Sequence, residues 1–465
     1  MTTTPPTQRS KWPMWVLGLV IMIDQIDQNV LRGVASDLQK DLNLSDAQIG
    51  LLLSAFVLVN GLISVPAGYL ADRFIRTRTV GHTVIAWSGI SALTAAMPNF
   101  ASLLVVRGAL GFGQAVTEPA CASLLADYYP AEERGLAFSV QQVLTFVGFG
   151  LGLGLGGVAA NSFGWRVAFL LVCTPGVLIA FFVYKLREPK RGAADRAHLG
   201  VIDDDTEEVE SLPLFEHGFK RFFTDMIDGL KADMRTIWQI TTMKYALIGV
   251  STLLFTITAA AAALPQFYEK QLDVASGKAE SLVGLIVILG AIPGVLLGGR
   301  LADRFATRIK GARMAIPAYC LIVGNALFVT SYIPNIPLGG VLLLEALGLF
   351  VTVMAVPALR AGLSDAVPAH LRGAGFGAFN LFSVIFGQAA ASVVVFSLAG
   401  AFDHNFRTAL IIVSPPVFIG ALVLLKARDH LDEDAAKIFE AIIKAMQEQQ
   451  ERDAEDAAEA GEITP

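Results

Sequence analysis

Charge is scarce in this chain. Asp, Glu, Lys and Arg make up only 16% of its 465 residues, against roughly 25% in a soluble globule. That is too little to cover a water-facing surface, so a soluble globular protein is excluded. Cysteine is scarcer still. Cys121, Cys173 and Cys320 all fall inside apolar runs, which leaves buried thiols and no disulfide framework. No Walker loop, metal-spaced His/Cys cluster or nucleophile elbow occurs, so no catalytic set, cofactor or metal is expected and the chain does not read as an enzyme. Nothing points to a nucleic-acid partner. The stretch MTTTPPTQRSKW lacks a short apolar core followed by a small-residue cleavage site, and the first apolar run is expected to stay in the mature protein. The net charge of −6 says little, because much of the acid is local, in Val201 to Glu210 and after Arg452.

Apolar residue is abundant instead: 54% of the chain, with a mean hydropathy of +0.58. Apolar runs of about 20 residues recur, each long enough to cross roughly 30 Å of hydrocarbon as a helix. The chain reads as an all-α, polytopic membrane protein. Twelve spans are expected, at 12–35, 46–70, 79–97, 100–128, 134–160, 165–186, 242–264, 280–301, 312–331, 338–361, 370–399 and 407–426. Short loops such as Pro98-Asn99 and Pro334-Asn335 force antiparallel neighbours. A long polar segment separates six spans from six. The expected division is 1–186, a linker over 187–240, a second bundle over 241–426, and a tail over 427–465.

Lys and Arg set the expected orientation. Arg73, Arg76 and Arg78 follow span 2, and Arg304, Arg308, Lys310 and Arg313 follow span 8. The opposite loops hold few basic residues, among them Lys40, Lys270 and Lys278. Both termini and the linker are therefore expected in the cytoplasm, with the protein in the plasma (inner) membrane. In the linker, Phe215, Phe219, Phe222, Phe223, Met226, Ile227, Leu230 and Met234 recur at helical spacing with Lys and Arg between them, as suits a helix lying on a membrane surface. Ile438, Phe439, Ile442, Ile443 and Met446 mark a second amphipathic helix, and the last dozen residues are expected to be disordered.

The two halves are related. Leu-Ala-Asp-Arg-Phe occurs at 70–74 and again at 301–305, an offset of 231. Pro119, Pro130 and Arg134-Gly135 match Pro357, Pro368 and Arg372-Gly373 at an offset of 238, as Asp127 matches Asp365. Two halves repeated in the same sense imply a pseudo-two-fold axis along the membrane normal, with a site between them near mid-membrane.

GYLADRFIRTR resembles the loop signature of the major facilitator superfamily, through Gly68, Asp72, Arg73, Arg76 and Arg78. Ile75 stands where that family usually has glycine. RGALGFGQA in span 4 resembles its R-x-x-x-G-x-G element. The resemblance covers spans 1 to 12 and implies twelve transmembrane helices in two six-helix bundles. SDLQKDLNLSDAQIGLL, ADYYPAEERG, Trp165-Arg166, REPKRG and Glu345 are similar to the spinster-like group, associated with lysolipid and sphingoid-lipid transport. Gln28 and Gln114 depart from that group, which usually shows Asp-Arg and Glu there.

The resemblance implies a cytoplasmic latch at Gly68 and Asp72-Arg73, with Asp127 and Arg134 in suitable positions and with Asp303-Arg304, Asp365 and Arg372 as the mirror set. An Asp at a helix end can bond exposed amides or a nearby arginine. A structural alternative is a topology signal and helix stop.

Charges inside a membrane are costly, roughly 2.5–3.5 kcal/mol on insertion scales, so they usually face a cavity or a partner. The candidates are Asp24, Asp27, Arg107, Glu118, His82 and Glu345. Asp24 and Asp27, three apart, share a helix face. Arg107, Gln114 and Glu118 form one stripe at about 100° per residue. Asp27 and Arg107 both lie roughly 11 Å deep at 1.5 Å per residue, which makes them the expected ion pair. Arg107 and Glu345 match at the 238 offset, so Arg107 is also expected to be shared across the halves. The bland reading is a salt bridge that only aligns helices. His82 reads as a packed helix residue. Glycines over 148–157 permit close helix approach, and the resemblance implies that span 5 packs against the other half. The antiporter pattern of that family usually has a proline here, and this stretch has none.

The sequence thus points to a monomeric secondary active transporter, driven by a proton gradient through alternating access, with membrane lipids around it and a small amphiphile such as a lysolipid or sphingoid lipid as substrate. The alternatives are an organic-anion, sugar-acid or drug transporter of the same superfamily, and a transporter-like sensor signalling through the C-terminal tail.

Overall fold

A computed structural model describes residues 10–198, 219–274, 276–306 and 308–462. Phe215 of the expected linker helix lies outside the described residues. Twelve helical spans build two halves. The first half holds Trp12–Gly33, Asp46–Ala71, Arg76–Thr94, Phe100–Tyr128, Ala131–Phe163 and Trp165–Tyr184 as spans 1 to 6. The second holds Thr241–Gln271, Leu282–Ala306, Ala312–Ser331, Leu338–Ala366, Ala369–Ala401 and Phe406–Glu440 as spans 7 to 12. Ten of them are long and apolar enough to cross a membrane. Spans 2 and 3 complete the pattern. No strand occurs among the described residues.

Local chemistry sets the helix ends. Ser45 and Gln48 form a capping box at the start of span 2, with Ser45 N–H donating to Gln48 Oε1 at 2.9 Å and Gln48 N–H to Ser45 Oγ at 3.3 Å. Asn99 Oδ1 caps span 4 by accepting from Ser102 N at 3.0 Å. Spans 4 and 10 each break part-way. The first pauses between Gln114 and Thr117, the second at Met354. Pro119 and Pro357 sit just past these points, and each lacks the N–H that would close the turn before it. Spans 8 and 11 carry wider turns at Val287–Ala291 and Ser383–Ala389.

Several expected boundaries shift. Span 7 continues to Gln271 and span 3 starts at Arg76. Short helices Ala35–Leu42 and Ala193–His198 were not anticipated. The linker helix runs over Phe219–Gln239. Of the last dozen residues, the described ones, 454–462, are helical rather than irregular. One helix runs from Phe406 to Glu462, since Ala, Glu and Gln are good helix formers.

The outer faces are apolar. On span 6, Leu171, Leu178 and Phe181 are each more than half exposed, as suits a surface turned to acyl chains rather than water. Within the halves, span 1 packs on span 5 and span 7 on span 12. Gly148, Gly152 and Gly156 lie against the backbone of Met22, Ile26 and Val30 in span 1. The glycines thus admit span 1, while span 5 also packs on the other half as expected. Residues four apart share one helix face, and that face serves span 1. The halves meet elsewhere, where span 2 packs on 372–389 and span 5 on 292–306.

Candidate functional site

The seal between the halves is built from the repeated words. Asp72 closes span 2, and its carboxylate accepts the backbone N–H groups of Gly373 and Ala374, both at 2.8 Å. These are orphan donors in the first turn of span 11, where the helix dipole also favours an anion. Asp303 does the same in mirror image, accepting from Gly135 and Leu136 N–H at 2.8 Å each. Each Leu-Ala-Asp-Arg-Phe copy thus holds the Arg-Gly pair of the opposite half. Glycine makes the approach possible. A Cβ on Gly68 would overlap the Gly373 carbonyl, and one on Gly299 would overlap Gly135.

The arginines of those pairs also cross. Arg134 Nη1 donates to Asp365 at 2.7 Å, and Arg372 Nη1 donates to Asp127 at 2.5 Å. Arg76 holds Asp127 from its own half at 2.5 Å, and Arg313 holds Asp365 likewise. Asp195, on the short linker helix, sits between the halves and accepts from both Arg134, at 2.5 Å, and Arg372. Burial pushes the Asp195 carboxyl up, but Arg134 and Arg372 together pull it down to about 2. Burial pushes Asp72 up to about 6, against the pull of Arg191 and the two amides. One member of the expected latch turns to the linker helix. Arg73 donates to Asp233 of the linker helix at 3.0 Å and lies over the Tyr69 ring at 3.5 Å. Arg304 is exposed at the end of span 8.

Past this seal lies a cavity between the halves. In span 2 its residues Phe56 and Asn60 precede Gly68 and Asp72, and in span 11 Phe379, Asn380 and Gln388 follow Gly373. The seal therefore separates the cavity from the face that carries the chain ends. Asp24, Gln114 and Glu118 line it from the first half. From the second half comes Arg360, a residue not anticipated among the membrane charges. Arg360 pairs with Glu118, donates to Gln141 at 3.4 Å and lies 5.8 Å from the Phe379 ring centre. Asn380 Nδ2 donates to Asn60 Oδ1 at 3.1 Å, again between the halves.

Three expected residues do not line the cavity. Asp27 is fully buried and accepts from Ser91 and from Gln114 Nε2, the latter at 3.2 Å. Asp24, three residues away, instead accepts from Gln28 Nε2 at 2.7 Å and faces the void. The shared face of the two carboxylates is corrected: the 300° between them leaves about 60° of divergence, enough to turn Asp27 toward spans 3 and 4. Arg107 is buried with its guanidinium 4.7 Å from the Phe169 ring centre. Its Nε and Nη2 have no hydrogen-bond partner among the described residues. Asp27 acts on it through space, but the expected direct pair does not form. Glu345 accepts from Tyr268 and, at 3.1 Å, from Ser331, so Arg107 and Glu345 are not brought together. Equal positions in two related halves need not touch. At the cavity, the pair that joins the halves is Glu118 with Arg360. His82 packs edge-on against Tyr184, 5.5 Å between ring centres.

Two six-span halves, sealed at one end, enclose a polar cavity between them. The chain belongs to the Major Facilitator Superfamily, whose sequence profile matches residues 17–392. It is similar to human protein spinster homolog 3, with 25% identity over 343 residues, which is 68% of this chain and 63% of that protein's length. It is also similar to the probable L-galactonate transporter of Escherichia coli K12, at 24% identity over 89% of this chain and 88% of that one. Among solved structures, the proton:xylose symporter XylE shares the fold at a TM-score of 0.67 and 16% identity, over 89% of this chain and 95% of that chain.

Proposed function

We propose that the protein is a secondary active transporter that moves an amphiphile, such as a lysolipid or sphingoid lipid, by alternating access coupled to protons. The observation that carries this reading is the cavity between the halves, shut off from the chain-end face by the crosswise seal. With the basic loops in the cytoplasm, this is an outward-facing arrangement. Rocking would break the bonds of Asp72 and Asp303 and reseal the opposite end. The cavity wall mixes carboxylates and one guanidinium with aliphatic and aromatic side chains such as Ile21, Leu253, Leu254 and Phe379, which suits a charged head on an apolar tail. Similarity to spinster homolog 3 agrees with the spinster-like resemblance of the sequence. Coupling is assigned to the carboxylates at mid-depth, Asp24 and Asp27, with Arg107 acting on Asp27 and Glu118 facing Asp24. The protein needs no cofactor, works as a monomer and sits in the plasma membrane.

A sugar-acid reading has support of its own. Amides line the cavity at Gln25, Gln28, Asn60, Gln114, Gln142 and Asn380, and amides suit hydroxyl groups. The L-galactonate transporter is also similar over most of both chains. Proteoliposomes with and without a proton gradient separate the two. Uptake of a lysolipid, driven by the gradient and not competed by a sugar acid, is expected. Gradient-driven uptake of the sugar acid alone would overturn the lipid reading.

A further inference from the structure

Another cavity, of about 490 Å³, lies on the chain-end side of the seal. Arg191 and Arg196 reach it from the segment after span 6, Ile240 from the end of the linker helix, Ala366 and His370 from the turn between spans 10 and 11, and Lys437 from the helix that continues span 12. The first of these stretches is fastened to the first half. Glu188 accepts from Arg76 Nε at 2.7 Å and from Thr77 N–H at 2.8 Å. Gly192 N–H donates to Asp127 at 3.0 Å, and Arg191 donates to the Ala71 carbonyl at 2.8 Å and to Asp72 at 3.4 Å. The turn and the span 12 helix belong to the second half, where Thr242 N–H at the start of span 7 donates to Asp434 at 3.0 Å. Both halves therefore wall this cavity, and parting them at this face takes it apart.

Its charge is one-sided. Among the described lining residues, Arg191, Arg196 and Lys437 stand against the one carboxylate of Asp434, which already accepts from Thr242 and, at 3.2 Å, from Lys437. Asp233 acts on His370 from outside the lining but is taken by Arg73. A neighbouring cavity of about 240 Å³ sets three arginines against four carboxylates, so excess positive charge is not a general property of this face. Burial, with Arg76 beside it, pushes the Arg191 guanidinium down to about 10 in spite of Asp72, Asp127 and Glu188, as happens to a cation short of counter-charge. A ligand can reach these groups. His370 is exposed, the Lys437 side chain is 70% exposed, and Arg191 and Arg196 are half-buried. The wall between them is apolar, through Ile240, Ala366, Pro368, Ala369 and Ile438. Ile240 directly precedes span 7 and Ala366 ends span 10, which puts the cavity at the level of lipid headgroups. A small soluble anion gains nothing from such a wall, whereas the glycerol and first methylenes of a phospholipid do.

We infer that this cavity is a regulatory site for one anionic phospholipid of the leaflet on the chain-end side, its phosphate held by Arg191, Arg196 and Lys437 and its upper chains laid on the apolar wall. Basic pockets at the inner face of a membrane are suited to such headgroups. Because the lipid touches both halves, it binds the sealed form and raises its population by mass action. The site is separate from the central cavity and stands whichever substrate that cavity takes.

The test uses the full chain in nanodiscs of phosphatidylcholine alone, of phosphatidylcholine with phosphatidylglycerol, and of phosphatidylcholine with soluble glycerol 3-phosphate added. Spin-label distances across the chain-end face give the ratio of sealed to unsealed protein, and native mass spectrometry gives the lipid retained. Phosphatidylglycerol is expected to raise the ratio about fivefold at a level of several Kd and to be retained in preference to phosphatidylcholine, while glycerol 3-phosphate leaves the ratio unchanged. Arg196→Gln with Lys437→Gln should abolish both effects. Lys437→Gln alone, at an exposed position that the fold does not need, should lower lipid affinity about fivefold, and Lys437→Arg should keep it. Lys231→Gln removes a cation that is 72% exposed on the linker helix and should change nothing. A rise that persists in the double variant, or that Lys231→Gln weakens as much as Lys437→Gln does, would trace the effect to general surface charge and overturn the inference. No rise in the wild type would overturn it as well. An equal rise with glycerol 3-phosphate would overturn the lipid as occupant.

Discussion

Asp72 in one half accepts the backbone N–H of Gly373 in the other at 2.8 Å, and the same bond is repeated by Asp303 and Gly135. The seal is thus a pair of carboxylate-to-amide contacts exchanged between halves, the one at Gly373 being also a helix cap. Its strength depends on carboxylates being in place and on glycines letting the helices approach.

Asp72 makes the seal sensitive to pH. Its carboxyl titrates near 6 in the sealed state, from an ordinary value of 3.8. Arg191 and Arg76 are the charged groups acting on it. Between those values the sealed form holds the proton more tightly than an opened, solvated Asp72 does. The Asp72 contribution therefore favours the sealed form as pH falls through 6, and is complete below about 4. Going from pH 7 to pH 5 is worth about 1.4 kcal/mol, or a factor of about ten in population. Spin-label distances across the chain-end face in nanodiscs would report it. Asp72→Asn should flatten the response, and an equal response in the variant would refute this origin.

Gly68→Ala should hold the seal apart. The added methyl would overlap backbone carbonyl at Gly373 rather than a flexible side chain, so relief requires the helices to separate. The same distance measurement should show a shift to the unsealed form. Gly89→Ala, where a Cβ meets open space, is the control. A Gly68→Ala protein with wild-type distances would contradict the close-approach account.

Asp195→Asn should weaken both crosswise arginines at once. It is buried and answers Arg134 and Arg372 together. Removing one partner of a buried ion pair costs about 3–5 kcal/mol, shared between stability and the sealed population. Lower thermal stability with a shift to the unsealed form is expected. No change in either would mean that the linker helix only rests on the seal.

Asp27→Asn should remove the pH dependence of transport while substrate still binds, because Asp27 lies behind the cavity wall with Ser91, Gln114 and Arg107 around it. Uptake across a range of external pH checks this. A variant that keeps the wild-type profile would move the coupling to Asp24 or Glu118.

The latch was legible because the chain writes it twice. Asp72, Asp303 and the two Arg-Gly pairs could be matched by offset alone. What each carboxylate bonds could not, since amides carry no sequence signal. The offset misled at Arg107 and Glu345. It identifies equivalent positions, and equivalent positions stay apart unless they lie near the axis. Arg360 was hidden in the last turns of span 10, where a basic residue reads as topology. Its one signal is asymmetry, as Ala122 occupies the matching place in the first half. Asp195 lies in a loop without periodicity, and only the fold shows that it reaches two arginines.

Carboxylate-to-amide bonds exchanged in both directions follow the geometry of an isologous dimer, in which one surface patch meets its own copy. Here the two protomers are fused in a single polypeptide. Neither repeat can complete these bonds by itself, so a substitution at either Asp or either Gly is felt by the sister repeat. Separately produced repeats would each carry a bare carboxylate until they found one another.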